Sequence, residues 1–278
     1  MNFKAPSVGW LRRFSLLTVA VAFLAVAVRC LNLFFFFDTD IGYYQSNTLL
    51  PIVEAVLLVL AVILLVLASF RWLRHMPVGY APATPVSVKA VSFVAALLSV
   101  ISVIQLMSVE STSLLPRFLV VLSVISAVYF LLGAWSKASL LPRFLSGLGN
   151  IVALVVSLAL SYFDITVQMN APNKIFFQLA CLSLMLFTAE ELRFTVGAPR
   201  KGLYFLSVGC AVLFGGIATI PSLIGIVAGV LEAPYWIPCY ALLAANLIYA
   251  IARMYSLVWE EQAPSEESSE DVSDNEEA

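Results

Sequence analysis

Residues 48–70 read TLLPIVEAVLLVLAVILLVLASF, 23 positions with a single charge, Glu54. As a helix this run is roughly 35 Å long. The hydrocarbon core of a bilayer is about 30 Å thick. Only helices and closed barrels satisfy their backbone groups in lipid. A barrel strand alternates apolar and polar residues over about ten positions. This run is twice that length and does not alternate, so it reads as a transmembrane helix.

Seven more runs of similar kind follow from the same reading, at about 14–37, 88–109, 118–136, 146–168, 174–193, 203–224 and 235–257. The fold class is therefore an all-α membrane protein, a polytopic bundle of about eight transmembrane helices with short loops. Composition agrees. Of 278 residues, 62% are hydrophobic and 12% charged, and mean hydropathy is +0.98. Soluble domains have about 45–50% apolar and about 25% charged residues. A soluble enzyme, a nucleic-acid binder and a disordered hub are excluded as descriptions of the whole chain.

Three regions are expected: a leader at 1–13, the helical bundle at 14–258, and an acidic tail at 259–278. The tail has nine acidic residues and no basic one, which leaves 15 basic against eight acidic before it. Residues 260–278 include one large aliphatic side chain, Val272, and are expected to be disordered, since too little apolar surface is available to offset chain entropy. The first run follows Lys4, Arg12 and Arg13 but is too long for a signal-peptide core and has no small-x-small cleavage site, so it reads as a retained anchor.

Basic residues set the orientation. Twelve fall on one side: Lys4, Arg12, Arg13, Arg71, Arg74, Lys89, Lys137, Arg143, Arg193, Arg200, Lys201 and Arg253. Arg117 and Lys174 fall on the other. Both termini are thus expected in the cytoplasm. Short loops and the lack of any Asn-x-Ser/Thr acceptor suit a bacterial plasma membrane. The bilayer is the expected partner, with a protein partner conceivable at the cytoplasmic face or tail. Nucleic acid is not expected, because the basic residues sit in small groups at helix ends rather than in one patch.

Charge inside a bilayer is costly and points to function by default. Arg29 lies eight residues before the outer end of the first run, and Glu54 about six residues into the second. Their depths from the same face are about 12 Å and about 9 Å, so they form a candidate intramembrane pair. A structural ion pair, or two side chains snorkelling separately, is the blander account. Glu190, Glu191, Arg193 and Arg253 form a candidate inner-interface cluster. It reads as a proton or cation site or, more plainly, as headgroup anchors. Gln105, Asn150, Gln168, Gln178 and Asn246 are uncharged polar residues in or near the runs. Asn246 is the one expected to face the interior. Pro221 lies in a glycine-punctuated seventh run and should kink or break it; broken helices often line transporter sites.

Four cysteines are scattered without a CxxC pair and read as buried thiols. No HExxH, Gly-x-Ser-x-Gly, Walker or Gly-x-Gly-x-x-Gly motif occurs. No catalytic residue, metal or cofactor is assigned. The heptapeptide SLLPRFL occurs at 113–119 and 139–145, each copy opening a helix, with Pro in the first turn. Two functional readings follow: a small-molecule or ion permease, or the membrane subunit of one; and a non-transporting scaffold that binds a partner through its acidic tail.

Overall fold

The computed structural model describes residues 8–38, 43–44, 49–73, 85–108, 114–135, 139–168, 170–198, 200–231 and 236–259. Eight helices occur in that part of the chain: α1 Val8–Phe35, α2 Leu50–Leu73, α3 Val86–Ser108, α4 Leu114–Ala134, α5 Leu140–Phe163, α6 Pro172–Thr195, α7 Lys201–Val227 and α8 Cys239–Trp259. Between α1 and α2 a short antiparallel pair forms, β1 Phe37–Asp38 and β2 Tyr43–Tyr44, with Phe37 opposite Tyr44. α1 begins inside the stretch expected as a leader. The acidic residues 260–278 lie outside the described residues.

Seven of the helices, α1 to α7, are long and apolar enough to cross a membrane. α8 has 21 residues but carries Asn246, Arg253 and three tyrosines. Its place in the bundle explains that composition. α8 packs on α3 and α7 and also meets α1 and α6. Of its described side chains only Ile251 and Tyr255 are exposed. Polar groups are tolerated there because their neighbours are protein rather than lipid.

The other helices pack as an arc, α3 on α4, α4 on α5, α5 on α6, α6 on α7, and α7 on α1. α2 lies outside, touching α1 and α7. Only 17% of its most apolar window is buried within the protein, against 61% for α7. Large apolar side chains such as Phe23, Leu67, Ile104, Val121 and Leu182 face outward. Small ones line the inside: Ser92, Ala95, Ser99 and Ser102 on α3, and Ser123 and Ser126 on α4. Small residues let helices approach closely where no hydrophobic effect drives them together. Several of these serines bond their own helix, as Ser92 does to the Val88 carbonyl and Ser126 to that of Leu122, while the Ser123 hydroxyl has no hydrogen-bond partner among the described residues.

Contacts between helix ends show that the helices alternate in direction. Ser102, late in α3, donates to the Pro238 carbonyl just before α8. Arg29, late in α1, reaches Glu54, early in α2. Arg253, late in α8, pairs with Glu191, late in α6. Odd-numbered helices end, and even-numbered ones begin, at what we call the Arg29 end; the opposite one is the Glu191 end. The start of α1 and the finish of α8 share the Glu191 end.

The break expected at Pro221 is absent. α7 continues through Pro221 to Val227. Proline removes one backbone donor, but the surrounding helices hold the segment in place. The helix stops at glycine instead. Gly229 has φ +71, and Val230 N donates to Gly225 O while Gly229 N donates to Ile226 O. That is a Schellman ending, for which a residue with no Cβ is best suited.

Candidate functional site

At the Arg29 end, Arg29 and Asn32 are three residues apart and share one face of α1. Arg29 Nη1 donates to Glu54 Oε1 at 3.4 Å and Nη2 to Asn173 Oδ1 at 2.5 Å. Asn32 Nδ2 donates to Glu54 Oε2, and the Tyr44 hydroxyl donates to the same oxygen at 3.3 Å. The guanidinium lies 4.3 Å from the Phe176 ring centroid and 5.3 Å from that of Tyr44. Arg29 is 1% and Glu54 3% exposed. The structure thus brings the two candidate residues together, and they are enclosed by protein rather than reaching separately for a membrane surface. Asn32, Tyr44, Asn173 and Phe176 complete the site and were not singled out from sequence.

Beside it, Lys174 Nζ donates to the carbonyls of Asp164 at 2.7 Å and Val167 at 3.1 Å. A cation there complements the C-terminal dipole of α5. Asp164 caps that helix and accepts from Trp236 Nε1 at 3.1 Å. In sequence Lys174 reads as a loop charge; here it is buried.

In the middle of the bundle, Asn150 Nδ2 donates to Asn246 Oδ1 at 2.8 Å. Asn246 Nδ2 donates to the Leu242 carbonyl at 2.9 Å, and Thr188 Oγ1 lies 3.4 Å from Asn150 Nδ2. Asn246 faces the interior and joins α8 to α5.

At the Glu191 end, the four residues taken as one interfacial cluster divide. Glu190 is buried, 4% exposed, but pairs at 3.3 Å with Arg193, whose side chain is 38% exposed. Glu191 and Arg253 are inside the bundle, 3% and 1% exposed, with Nη2 2.5 Å from Oε1. The sequence reading as headgroup anchors fails for this pair, because α5, α7 and α8 close around it. Arg143 Nη2 lies 3.9 Å from Glu191 Oε1. The Tyr249 hydroxyl donates to Oε1 at 2.9 Å and the Tyr204 hydroxyl to Oε2 at 2.7 Å. Arg253 Nε donates to the Tyr249 oxygen at 3.0 Å.

A spacing of seven residues connects these places. Arg143, Asn150, Ser157 and Asp164 follow one seam of α5; Lys174, Cys181 and Thr188 follow one of α6; Cys239, Asn246 and Arg253 follow one of α8. Seven residues rise about 10.5 Å. Four polar layers result: Arg143, Glu191 and Arg253; Asn150, Thr188 and Asn246; Ser157 bonded to Cys239, with Cys181 adjacent; and Asp164, Lys174 and Trp236. From first to last they span about 31 Å, the thickness of a bilayer core. The heptad spacing is visible in the sequence, but nothing there says that the three seams face one another.

Compared with protein-family models, curated proteins and solved structures, the chain matches none. Among the described residues no group of three His, Cys, Asp or Glu side chains is placed to hold a metal ion. What the arrangement offers chemically is a file of hydrogen-bonding groups on α5, α6 and α8, with the Glu191–Arg253 pair in its first layer and the Arg29–Glu54 pair beside its last, joined to α6 through Asn173.

Proposed function

We propose that this chain is a membrane permease, or the membrane subunit of one, that passes a small polar or charged solute along the α5–α6–α8 seam. The observation that carries this reading is the polar file, with Glu191 and Arg253 in its first layer and the Glu54–Arg29 pair beside its last. Replacing a buried ion pair with apolar side chains is often neutral or stabilising. Interhelical hydrogen bonds alone would join the helices; two buried ion pairs, one at each end of the bundle, go beyond that need. The conformation is then the occluded one, with both ends shut. Opening at the Arg29 end would part Glu54 from Arg29. The helix with the least packing to lose is α2, which meets only α1 and α7.

The basic rim supports an orientation. Among residues with described side chains, the Glu191 end carries Arg13, Lys89, Arg193 and Arg200, so we place that end, with both termini, in the cytoplasm of a bacterial plasma membrane. The test is transport by the purified protein in liposomes. A defined mixture of small metabolites is offered outside, pyranine inside reports protons, and trapped solutes are identified by mass spectrometry. Wild type should accumulate a solute or conduct protons above protein-free liposomes, and Glu54→Gln should lose most of that flux. No flux of any component, or flux unaltered in the variant, rejects the reading.

The acidic tail supports a second reading, a scaffold that docks a basic partner. Nine acids without a base in residues 259–278 make the partner electrostatic in kind. Truncation after Gln262 should then remove a co-purifying protein. Unchanged partners, expression and localisation would leave the scaffold without support.

A further inference from the structure

The Glu191 cluster is charge-imbalanced and has an unused donor. Arg143 and Arg253 share a single carboxylate, which leaves one positive charge in excess. Arg253 is engaged at short range, but Arg143 is 3.9 Å from Glu191 Oε1. That is an electrostatic contact and too long for a hydrogen bond. Among the described residues Arg143 has no closer partner, and its side chain is 25% exposed, enough to be reached from the Glu191 end. The Tyr129 hydroxyl is the second observation. Tyr129 is 2% exposed, and its hydroxyl has no hydrogen-bond partner among the described residues. Its ring stands edge-on to Tyr249, with centroids 6.1 Å apart, and its electrostatic neighbours are Tyr249, Glu191, Arg143 and Arg253. Buried polar groups are nearly always paired. A buried phenol without an acceptor, within electrostatic reach of Arg143, is chemistry that suits an anion.

The geometry points to a binding site for a singly charged phosphate oxyanion at the Glu191 end, held by Arg143 from α5 and Tyr129 from α4, with Arg253 and Tyr249 behind them. One negative charge neutralises the cluster. Donors arriving from different helices suit a tetrahedral group better than a planar one, and guanidinium is well matched to phosphate. The basic rim of Arg13, Lys89, Arg193 and Arg200 raises the local concentration of anions. The inference rests on the permease reading, for which it names the solute class. The oxyanion can come from dissolved phosphate or from a phospholipid headgroup, and both present the same chemistry to the site.

Binding is tested without transport, on the full chain purified in a neutral detergent and stripped of lipid. In one arm, radiolabelled inorganic phosphate is equilibrated with the protein. In the other, retained phosphatidylglycerol and phosphatidylcholine are counted by native mass spectrometry, and the thermal midpoint is followed with each. Phosphate binding, or retention of phosphatidylglycerol over phosphatidylcholine, is expected. Arg143→Gln should weaken whichever ligand binds by roughly tenfold and Tyr129→Phe by several-fold, through loss of a charged and a neutral hydrogen bond. Arg143→Lys should recover part of the affinity, and Arg117→Gln, at the opposite end, should leave it unchanged. Each protein must elute as a single species, and Arg143→Lys serves in place of Arg143→Gln if the latter does not. Binding of neither ligand, or equal binding by the Arg143 and Tyr129 variants, overturns the site. Binding that survives while liposome flux is absent would reject the permease and leave the oxyanion site standing.

Discussion

Asn150 and Asn246 show how much a single buried contact contributes. Each satisfies the other across two helices, so removing one leaves an amide unpaired, at a cost of about 1–3 kcal/mol. Asn246→Leu should therefore lower the thermal midpoint, and Asn150→Leu with Asn246→Leu should cost less than the two single changes added. A double-mutant cycle that proves additive would mean that the pair does not form. Glu191 is a sharper case. It accepts from Tyr204 and Tyr249 and neutralises Arg253 and Arg143. Glu191→Gln leaves two guanidiniums uncompensated, and loss of one partner of a buried pair costs about 3–5 kcal/mol. Glu190→Gln should cost less, because Glu190 has one cationic partner and that partner, Arg193, is 38% exposed. Unfolding in denaturant compares the two; equal losses would mean that the contacts of Glu191 with Tyr204, Tyr249 and Arg253 add nothing.

At the scale of a helix, α7 is informative because two residues in it have opposite consequences. Pro221 is inside a continuous helix, so Pro221→Ala restores a backbone donor in a place already helical. Proline in a helix interior is about 3 kcal/mol less favourable than alanine, although neighbouring helices offset part of this in a membrane. The thermal midpoint of Pro221→Ala should be equal or higher. A fall of several degrees would show that the bundle depends on the shape proline imposes. Gly209 has the reverse role. A Cβ there would come 2.7 Å from Leu65 Cδ2 on α2. Leu65 can move to admit an alanine. Gly209→Leu should push α2 off its support on α7, and because α2 has few other contacts, protease or alkylating reagents should then detect its release before the bundle unfolds.

At the scale of the molecule, alternation of eight helices places the beginning of α1 and the end of α8 at one end. Single cysteines introduced at Ser46 and Ser268 should be labelled by membrane-impermeant reagents from opposite sides. Labelling from one side only would require an odd number of crossings, with α8, the helix outside the seven apolar spans, the first to question. The bundle also has an inside and an outside of different chemistry. Lipid-facing positions are large and apolar, while the interior mixes buried aromatics and leucines with serine, alanine and a few charged side chains. Polar groups are confined to the inside, as expected where the solvent is a hydrocarbon.

Helix number and the membrane-protein class were legible in the chain, because runs of some 20 apolar residues have one physical solution in a bilayer. That Arg29 and Glu54 meet was legible too, because adjacent antiparallel helices bring them to one level by rise per residue alone. The charge state of a position did not reveal its surroundings. Lys174, Glu191 and Arg253 read as residues near helix ends, where water and headgroups are close, but they are buried because helices distant in sequence cover those ends. Pro221 read as a kink or a break on local propensity, and the helix runs on through it because packing holds the segment. The pairing of Asn150 with Asn246, and the facing of three heptad seams, depend on how each helix is rotated about its axis. Hydropathy does not encode that rotation strongly when both lipid and interior are apolar. Only the packing of α8 against its neighbours decides it, by bringing small residues into contact and leaving the polar ones no partners but each other.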